Sequence, residues 1–116
     1  MRKIVFALTI FIYSFSVVVA QDKNPEQIKI KTSSVCKMCK NTIEKALSFE
    51  KGVKSSDLDV PSQVITVSYN PRKTDVNKIK KAINESGYDA DEMPAEKKAY
   101  DRLEDCCKKD KKVHID

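Results

Sequence analysis

The stretch that decides the fold reads VCKMCKNTIEKAL, from Val35 to Leu47. Its apolar residues recur at intervals of three and four, which predicts a helix over residues 37–49 with one buried face. The residues expected on that face are Cys39, Ile43, Ala46 and Leu47. Gly52 follows where a C-terminal cap is expected. A helix with a single apolar face has to be covered by another layer, so the flanking segments determine the architecture.

Three flanking segments alternate apolar and polar residues, which is typical of half-buried strands. They cover residues 27–31, 53–60 and 64–69. A second helix is predicted after an N-cap at Thr74, ending at Gly87, with a buried face of Val76, Ile79, Ala82 and Ile83. Residues 88–93 then form a short fourth strand. The order β-α-β-β-α-β predicts an α+β sandwich of a four-stranded antiparallel sheet with both helices on one face.

The two ends of the chain differ in character from this central domain. Residues 1–20 begin with Arg2 and Lys3, continue as an apolar run and end in small residues at Ala20, which predicts a signal peptide cleaved near Ala20. The alternative is an uncleaved membrane anchor. The first interpretation makes the protein exported, and therefore periplasmic or otherwise extracytoplasmic. A leader at 21–26 precedes the domain at 27–94, and 95–116 form a C-terminal helical extension with a Cys-Cys pair and a charged tail.

The composition excludes several function classes. The net charge of +5 is mild, and few aromatic residues accompany the lysines, so nucleic acid is not an expected partner. With one histidine and two glycines, the chain offers neither a Ser-His-Asp arrangement nor a phosphate-cradling glycine loop. We therefore expect a binding protein and not an enzyme.

Cys36 and Cys39 are the candidate metal ligands. They stand where a polar loop meets a helix N-terminus, and free N–H groups and the helix dipole there lower the pKa of a thiol. Lys37 and Lys40 add positive charge. Thiolates favour soft ions, and two of them satisfy Cu(I) or Hg(II), whereas structural Zn(II) usually takes four closed ligands. Cu(I) is the preferred ion, held and passed on by exchange of thiolate ligands, with Hg(II) and Zn(II) as alternatives.

The remaining cysteines leave alternatives open. Cys106 and Cys107 are candidates for auxiliary metal ligands, which would close the site, or for a disulfide. Cys36 and Cys39 also suit a thiol–disulfide oxidoreductase, although the β-α-β-β-α-β order does not fit one of the thioredoxin type. A disulfide-stapled structural domain is a further alternative. His114, in the charged tail, is interpreted as solvated.

Over residues 27–90 the chain resembles the heavy-metal-associated domain family. The matching residues are Cys36 and Cys39 together with others spaced along the rest of the domain: Ile43, Glu44, Leu47, Gly52-Val53, Val67 to Pro71, Ile79, Ile83 and Gly87-Tyr88. The family includes copper chaperones, modules of copper-transporting ATPases and exported mercury-binding proteins. The resemblance implies a ferredoxin-like fold, an exposed metal loop, and a metal-transporting membrane protein or another metal-binding domain as partner. A two-thiolate site of this kind is compatible with a monomer or with a dimer in which the metal bridges two molecules.

One departure from the family motif falls just before the first cysteine. The family carries Gly-Met where this chain has Ser33 and Ser34. Met38, between the cysteines, is interpreted either as replacing the packing of the missing methionine or as a weak thioether ligand. Tyr88 matches a family position near the metal loop. It is expected to cap the core beside Gly87 and at most to contact the ligand residues, without contacting the ion.

Overall fold

The computed structural model describes residues 25–114. The predicted signal peptide at 1–20 and the leader as far as residue 24 lie outside that range. The elements, in chain order, are β1 (Glu26–Lys31), α1 (Lys37–Ser48), β2 (Val53–Asp59), β3 (Val64–Tyr69), α2 (Val76–Glu85), α3 (Lys97–Asp101) and a 3-10 turn (Asp105–Cys107). Among these described residues, no helix has the length and apolar character needed to cross a membrane.

The three strands form one antiparallel sheet in the order β1-β3-β2. The alternation predicted for β3 is confirmed, because its buried residues are Ile65, Val67 and Tyr69. Ile65 stands opposite Ile30 of β1 and Leu58 of β2, so an apolar row crosses the sheet. This row is the part of the apolar core that the sheet contributes.

The two long helices pack on this apolar row of the sheet. α1 buries Cys39, Ile43 and Leu47, while Ala46 is only half-buried. α2 buries Ile79 and Ile83. These side chains form one apolar cluster with the sheet residues, which places both helices on the same face, as predicted.

The predicted fourth strand over residues 88–93 is not formed in the described part of the chain. Ala90 makes a single bridge to Thr32, and Ala90 and Met93 exchange two backbone hydrogen bonds of 2.9 Å. Asp91 lies in the left-handed region with φ 49°, and its carboxylate accepts the N–H of Lys31 at 2.8 Å. The chain therefore turns back on itself at the sheet edge, and a side chain takes the place of a strand carbonyl.

Two predicted helix caps are wrong. The N-cap of α2 is Asp75, whose side chain accepts the N–H of Lys78 at 2.9 Å, whereas Thr74 is buried beneath the turn. α1 ends at Ser48 with Phe49 as its C-cap, and Gly52 instead forms the turn into β2 with φ +90°. Gly87 does follow the end of α2, with φ +105°, as predicted.

The predicted helix from residue 95 to about 107 is also interrupted. α3 covers only Lys97–Asp101, and the 3-10 turn begins four residues later. Between them Leu103 packs against Gly87, where an added Cβ would lie 2.9 Å from its Cδ2. This contact with the end of α2 needs a bend that a continuous helix would not make.

The loop between β1 and α1 buries an unpaired hydroxyl. Ser34 is fully buried, and its Oγ has no hydrogen-bond partner among the described residues, although its carbonyl accepts the Gln63 side chain at 2.7 Å. Nearby, the Thr32 hydroxyl donates to the Gln63 carbonyl at 2.8 Å. A buried hydroxyl without a partner costs free energy, so Ser34 is a weak point of the loop.

Replacing the Asp75 cap tests the assignment of the α2 N-terminus. We expect Asp75→Ala to lower the free energy of unfolding by about 1 kcal/mol, since an N–H at the helix start loses its acceptor. Asp75→Asn retains an oxygen acceptor and should stay close to the wild type. Urea unfolding measures both. Equal losses in the two variants would assign the effect to charge and not to capping.

The two loop hydroxyls give a matched pair. Ser34→Ala removes an unpaired buried hydroxyl and should leave the free energy of unfolding unchanged or raise it by up to about 1 kcal/mol. Thr32→Val removes a paired hydroxyl of similar burial and should lower it by about 1 to 2 kcal/mol. Urea unfolding again provides the comparison. A loss at Ser34→Ala as large as that at Thr32→Val would contradict the unpaired state of the Ser34 hydroxyl.

Candidate metal centre

The first turn of α1 brings the two predicted ligands together. Cys36 is the N-cap residue with an extended backbone, φ −155°, and its carbonyl accepts the N–H of Lys40 at 3.1 Å to start the helix. Cys39 lies within that first turn. The two Sγ atoms are 3.2 Å apart. The loop and the helix start therefore aim both sulfurs at one point.

The loop is not exposed, contrary to what the resemblance implied. Cys36 is 2% exposed and Cys39 is 0% exposed. The segment that covers them comes from the C-terminal end of the described chain, where Cys107 is itself buried. The loop is covered because the turn that carries Cys107 packs over it, in the position that the auxiliary-ligand alternative for Cys106 and Cys107 requires.

All four sulfurs of the chain gather at this place, and all four cysteines are free thiols. The Sγ of Cys36 lies 3.9 Å from that of Cys107, which lies 3.8 Å from that of Cys106. The Sγ atoms of Cys36, Cys106 and Cys107 all lie within 4.8 Å of one another. These separations exceed the roughly 2.05 Å of a disulfide bond, whereas they are in the range spanned by sulfurs around a common metal ion.

The two thiols of the pair differ in acidity. Burial opposes ionisation of Cys39, but the nearby Tyr88 hydroxyl, the Val35 backbone and neighbouring thiols favour its thiolate and together lower its pKa. Burial raises the pKa of Cys36, and the adjacent Cys39 thiol acts in the same direction. The prediction of a lowered thiol pKa is thus right for Cys39 and wrong for Cys36. The pair ionises first at Cys39, with Cys36 as its donor.

Tyr88 lies directly behind Cys39. Its side chain is 1% exposed, and its hydroxyl has no conventional hydrogen bond among the described residues. Burial raises the pKa of the phenol strongly, and its contact with the Cys39 thiol adds to that effect. The hydroxyl therefore stays protonated and is placed to donate to a thiolate at Cys39.

The charged and thioether neighbours of the loop lie further out. Lys40 donates to Glu44 at 2.7 Å, to Asp57 at 2.9 Å and to the Leu58 carbonyl, so two carboxylates compensate its charge. Lys37 is exposed at the start of α1. Met38 is 47% exposed, so it does not replace the packing of the family's methionine beneath the loop.

Two contacts of the cysteine loop were not predicted from the sequence: one is made by the backbone of Val35 and one by His114. Val35 donates its backbone N–H toward Cys39, and its carbonyl accepts the backbone N–H of His114 at 2.7 Å. Backbone contacts of this kind leave no signal in residue type. His114, interpreted as solvated, is therefore held beside the loop, with its ring Nδ1 2.9 Å from the Lys112 carbonyl.

Proteins of related sequence include copper chaperones and copper-exporting ATPases. The chain is 37% identical over 62 residues to a copper chaperone, CopZ, of Staphylococcus epidermidis. The aligned region covers 53% of this chain and 90% of the chaperone. It is 38% identical over 71 residues to a copper-exporting P-type ATPase of Staphylococcus saprophyticus. That match covers 60% of this chain but only 9% of the ATPase, so the chain corresponds to a small part of that transporter.

Solved structures agree in fold. One is the N-terminal domain of a potential copper-translocating P-type ATPase from Bacillus subtilis in the Cu(I)-loaded state, with TM-score 0.55 and 29% identity, covering 58% of this chain and 85% of that one. Another is the mercury-bound form of MerP, a periplasmic protein of a bacterial mercury detoxification system. Its TM-score is 0.52 at 26% identity, with coverage of 58% and 94%.

The match to a family model agrees with the geometry of the loop. The model of the heavy-metal-associated domain matches residues 35–89, from the residue before Cys36 to the residue after Tyr88. That range holds α1, the hairpin of β2 and β3, and α2. Taken with the extent of the chaperone match, it shows that the chain belongs to the heavy-metal-associated domain family.

Proposed function

We propose that the protein binds Cu(I) as its cargo between the thiolates of Cys36 and Cys39, and buffers or relays it outside the cytoplasm. The observation that carries this proposal is the pair of sulfurs 3.2 Å apart at the N-terminus of α1, with a lowered pKa at Cys39. A thiolate pair of this kind is a soft donor set that selects Cu(I) over hard ions. The related copper chaperone and the Cu(I)-loaded neighbour support the choice of ion.

The donor set also fits the coordination number of the cargo. With metal–sulfur bonds of about 2.3 Å, a two-coordinate ion needs its sulfurs about 4.6 Å apart when linear and closer when bent. Rotation of the Cys36 or Cys39 side chain about its Cα–Cβ bond would widen the 3.2 Å separation to that span. Hg(II) has the same preference, and the mercury-bound neighbour supports it as the alternative ion. Zn(II) requires more ligands than the pair supplies.

The action of such a site is ligand exchange and not catalysis. A thiolate of a second protein adds to the ion, and a thiolate of this chain then leaves, while the copper keeps its oxidation state. The partner class is a metal-transporting membrane protein or another metal-binding domain, consistent with the copper-exporting ATPase among the relatives. A thiol–disulfide oxidoreductase is less well supported, because the related sequences include copper chaperones and copper-exporting ATPases.

Competition with a chromogenic Cu(I) chelator tests the binding. We expect the fully reduced protein, under anaerobic conditions, to take up one equivalent of Cu(I). Cys36→Ser or Cys39→Ser should weaken binding by at least about 100-fold, because loss of a mere outer-shell partner already costs about 10–100-fold in metal affinity.

Met38→Leu is the control for this titration. It removes the only other sulfur between the two cysteines while retaining an exposed apolar side chain, and we expect binding to be unchanged. Circular dichroism of each variant confirms that it remains folded. Failure of the wild type to compete with the chelator would remove Cu(I) from consideration, and the same titration with Hg(II) would then be decisive for the alternative ion.

Export is tested by the mass of the protein recovered from cells. Expression of the full chain in a bacterium with two membranes should release into the periplasm a product that begins at Gln21, since residues 1–20 have the layout of a signal peptide. Ala20→Lys replaces the small residue at the cleavage site and should leave the precursor uncleaved. Recovery of the intact 116-residue chain from the cytoplasm would contradict export.

A further inference from the structure

The segment from Leu103 to His114, here called the tail, is fastened across the metal loop at several points. Leu103 fills the space beside Gly87, and the Lys109 ammonium lies 3.4 Å from the carboxylate of Asp89. At the far end, the backbone N–H of His114 donates to the Val35 carbonyl at 2.7 Å. The tail is therefore bound to the end of α2 and to the loop that precedes Cys36.

The 3-10 turn within the tail separates its two cysteines. The N–H of Cys107 donates to the Glu104 carbonyl at 2.8 Å, which closes the turn. As a result Cys107 is 3% exposed and points inward, whereas Cys106 is exposed. Cys107 also belongs to the same buried cluster as Cys36 and Cys39.

The position of the Cys107 sulfur fits a third bond to the ion. With metal–sulfur bonds of about 2.3 Å, a trigonal ion holds its three sulfurs about 4 Å apart. The Sγ atoms of Cys36 and Cys107 are 3.9 Å apart. The Sγ of Cys39 lies 3.9 Å from the carbonyl oxygen of Cys107, so the turn passes beside both members of the pair. The Cys36 and Cys39 sulfurs, 3.2 Å apart, have to separate for all three sulfurs to bind one ion.

We propose that Cys107 is the third thiolate ligand of the bound ion, so that the tail caps the metal loop and occupies, within the same chain, the coordination position that a partner's thiolate would take. This inference rests on the proposed binding of Cu(I) by Cys36 and Cys39. On ligation the Cys107 thiol gives its proton to water and its sulfur bonds to Cu(I), with no change in oxidation state. The trithiolate carries net negative charge, and the lysines that follow Cys107 supply opposite charge: Lys108, Lys109, Lys111 and Lys112.

A third ligand from the same chain changes what the site does. A chain that completes its own coordination shell does not need a second copy to do so, which favours the monomer over a metal-bridged dimer. An incoming protein has to displace Cys107 before it reaches the ion. The cap therefore favours retention of copper over rapid transfer.

X-ray absorption at the copper edge of the reduced protein with one equivalent of Cu(I) counts the sulfur neighbours directly. We expect three for the wild type and two for Cys107→Ser, with Cu–S bonds that shorten in the variant. The affinity for Cu(I) should fall by at least about tenfold, the lower end of what an outer-shell loss costs. Cys106→Ser tests the other tail thiol, whose Sγ lies within 4.8 Å of those of Cys36 and Cys107, and three sulfurs should remain around the ion in this variant.

The outcomes separate this inference from the binding proposal. A wild type that binds Cu(I) through two sulfurs overturns the third ligand and leaves the binding proposal intact. A wild type that takes up no Cu(I) overturns both. Equal effects of Cys106→Ser and Cys107→Ser, or an effect of Cys106→Ser alone, also overturn the assignment. Circular dichroism checks the fold, and Cys107→Ala, which adds no buried hydroxyl, replaces Cys107→Ser should the latter be unfolded.

Discussion

The start of α1 is the point on which both the core and the proposed metal centre depend. The carbonyl of Cys36 accepts the hydrogen bond that begins the helix, and Cys39, in the first turn, is fully buried among the apolar residues that join helix and sheet. The direction of one sulfur is set by the loop and that of the other by the helix. The helix and its core packing thus position the Cys39 sulfur, and the loop positions that of Cys36.

That division agrees with the electrostatics of the pair. Cys39, on the helix, has the lowered pKa because the nearby Tyr88 hydroxyl and Val35 backbone favour its thiolate. Cys36, on the loop, has a raised pKa because its burial is not offset to the same degree. The two thiols of the proposed site therefore differ in acidity according to the element that carries them.

The sequence predicted those parts of the molecule that depend on local periodicity. The alternation in β3 and the helical spacing of Cys39, Ile43 and Leu47 appear in the structure as expected, because each pattern has one dominant burial solution. Features decided by contacts distant in sequence were predicted less well. At the sheet edge the Asp91 carboxylate accepts a hydrogen bond from the N–H of Lys31. These residues are sixty positions apart, so no local sequence pattern predicts their contact.

The same distinction holds for the candidate site. Spacing and position at a helix start were enough to nominate Cys36 and Cys39, and the structure brings their sulfurs together. For Cys106 and Cys107 the sequence left auxiliary metal ligation and a disulfide open, because the outcome depends on how the bend at Leu103 lays the 3-10 turn over the loop. The burial of the loop follows from that docking.

Gly87 has a consequence for how such a domain acquires an extension. The end of α2 needs a residue with φ +105°, which favours glycine whether or not anything follows. The missing side chain leaves a notch on the surface, and Leu103 occupies it. A segment appended to the domain thus finds an anchoring point that the helix end already provides, close to the cysteine loop. The leucine contact, together with the Lys109–Asp89 ion pair and the hydrogen bond from His114 to Val35, holds the tail over that loop.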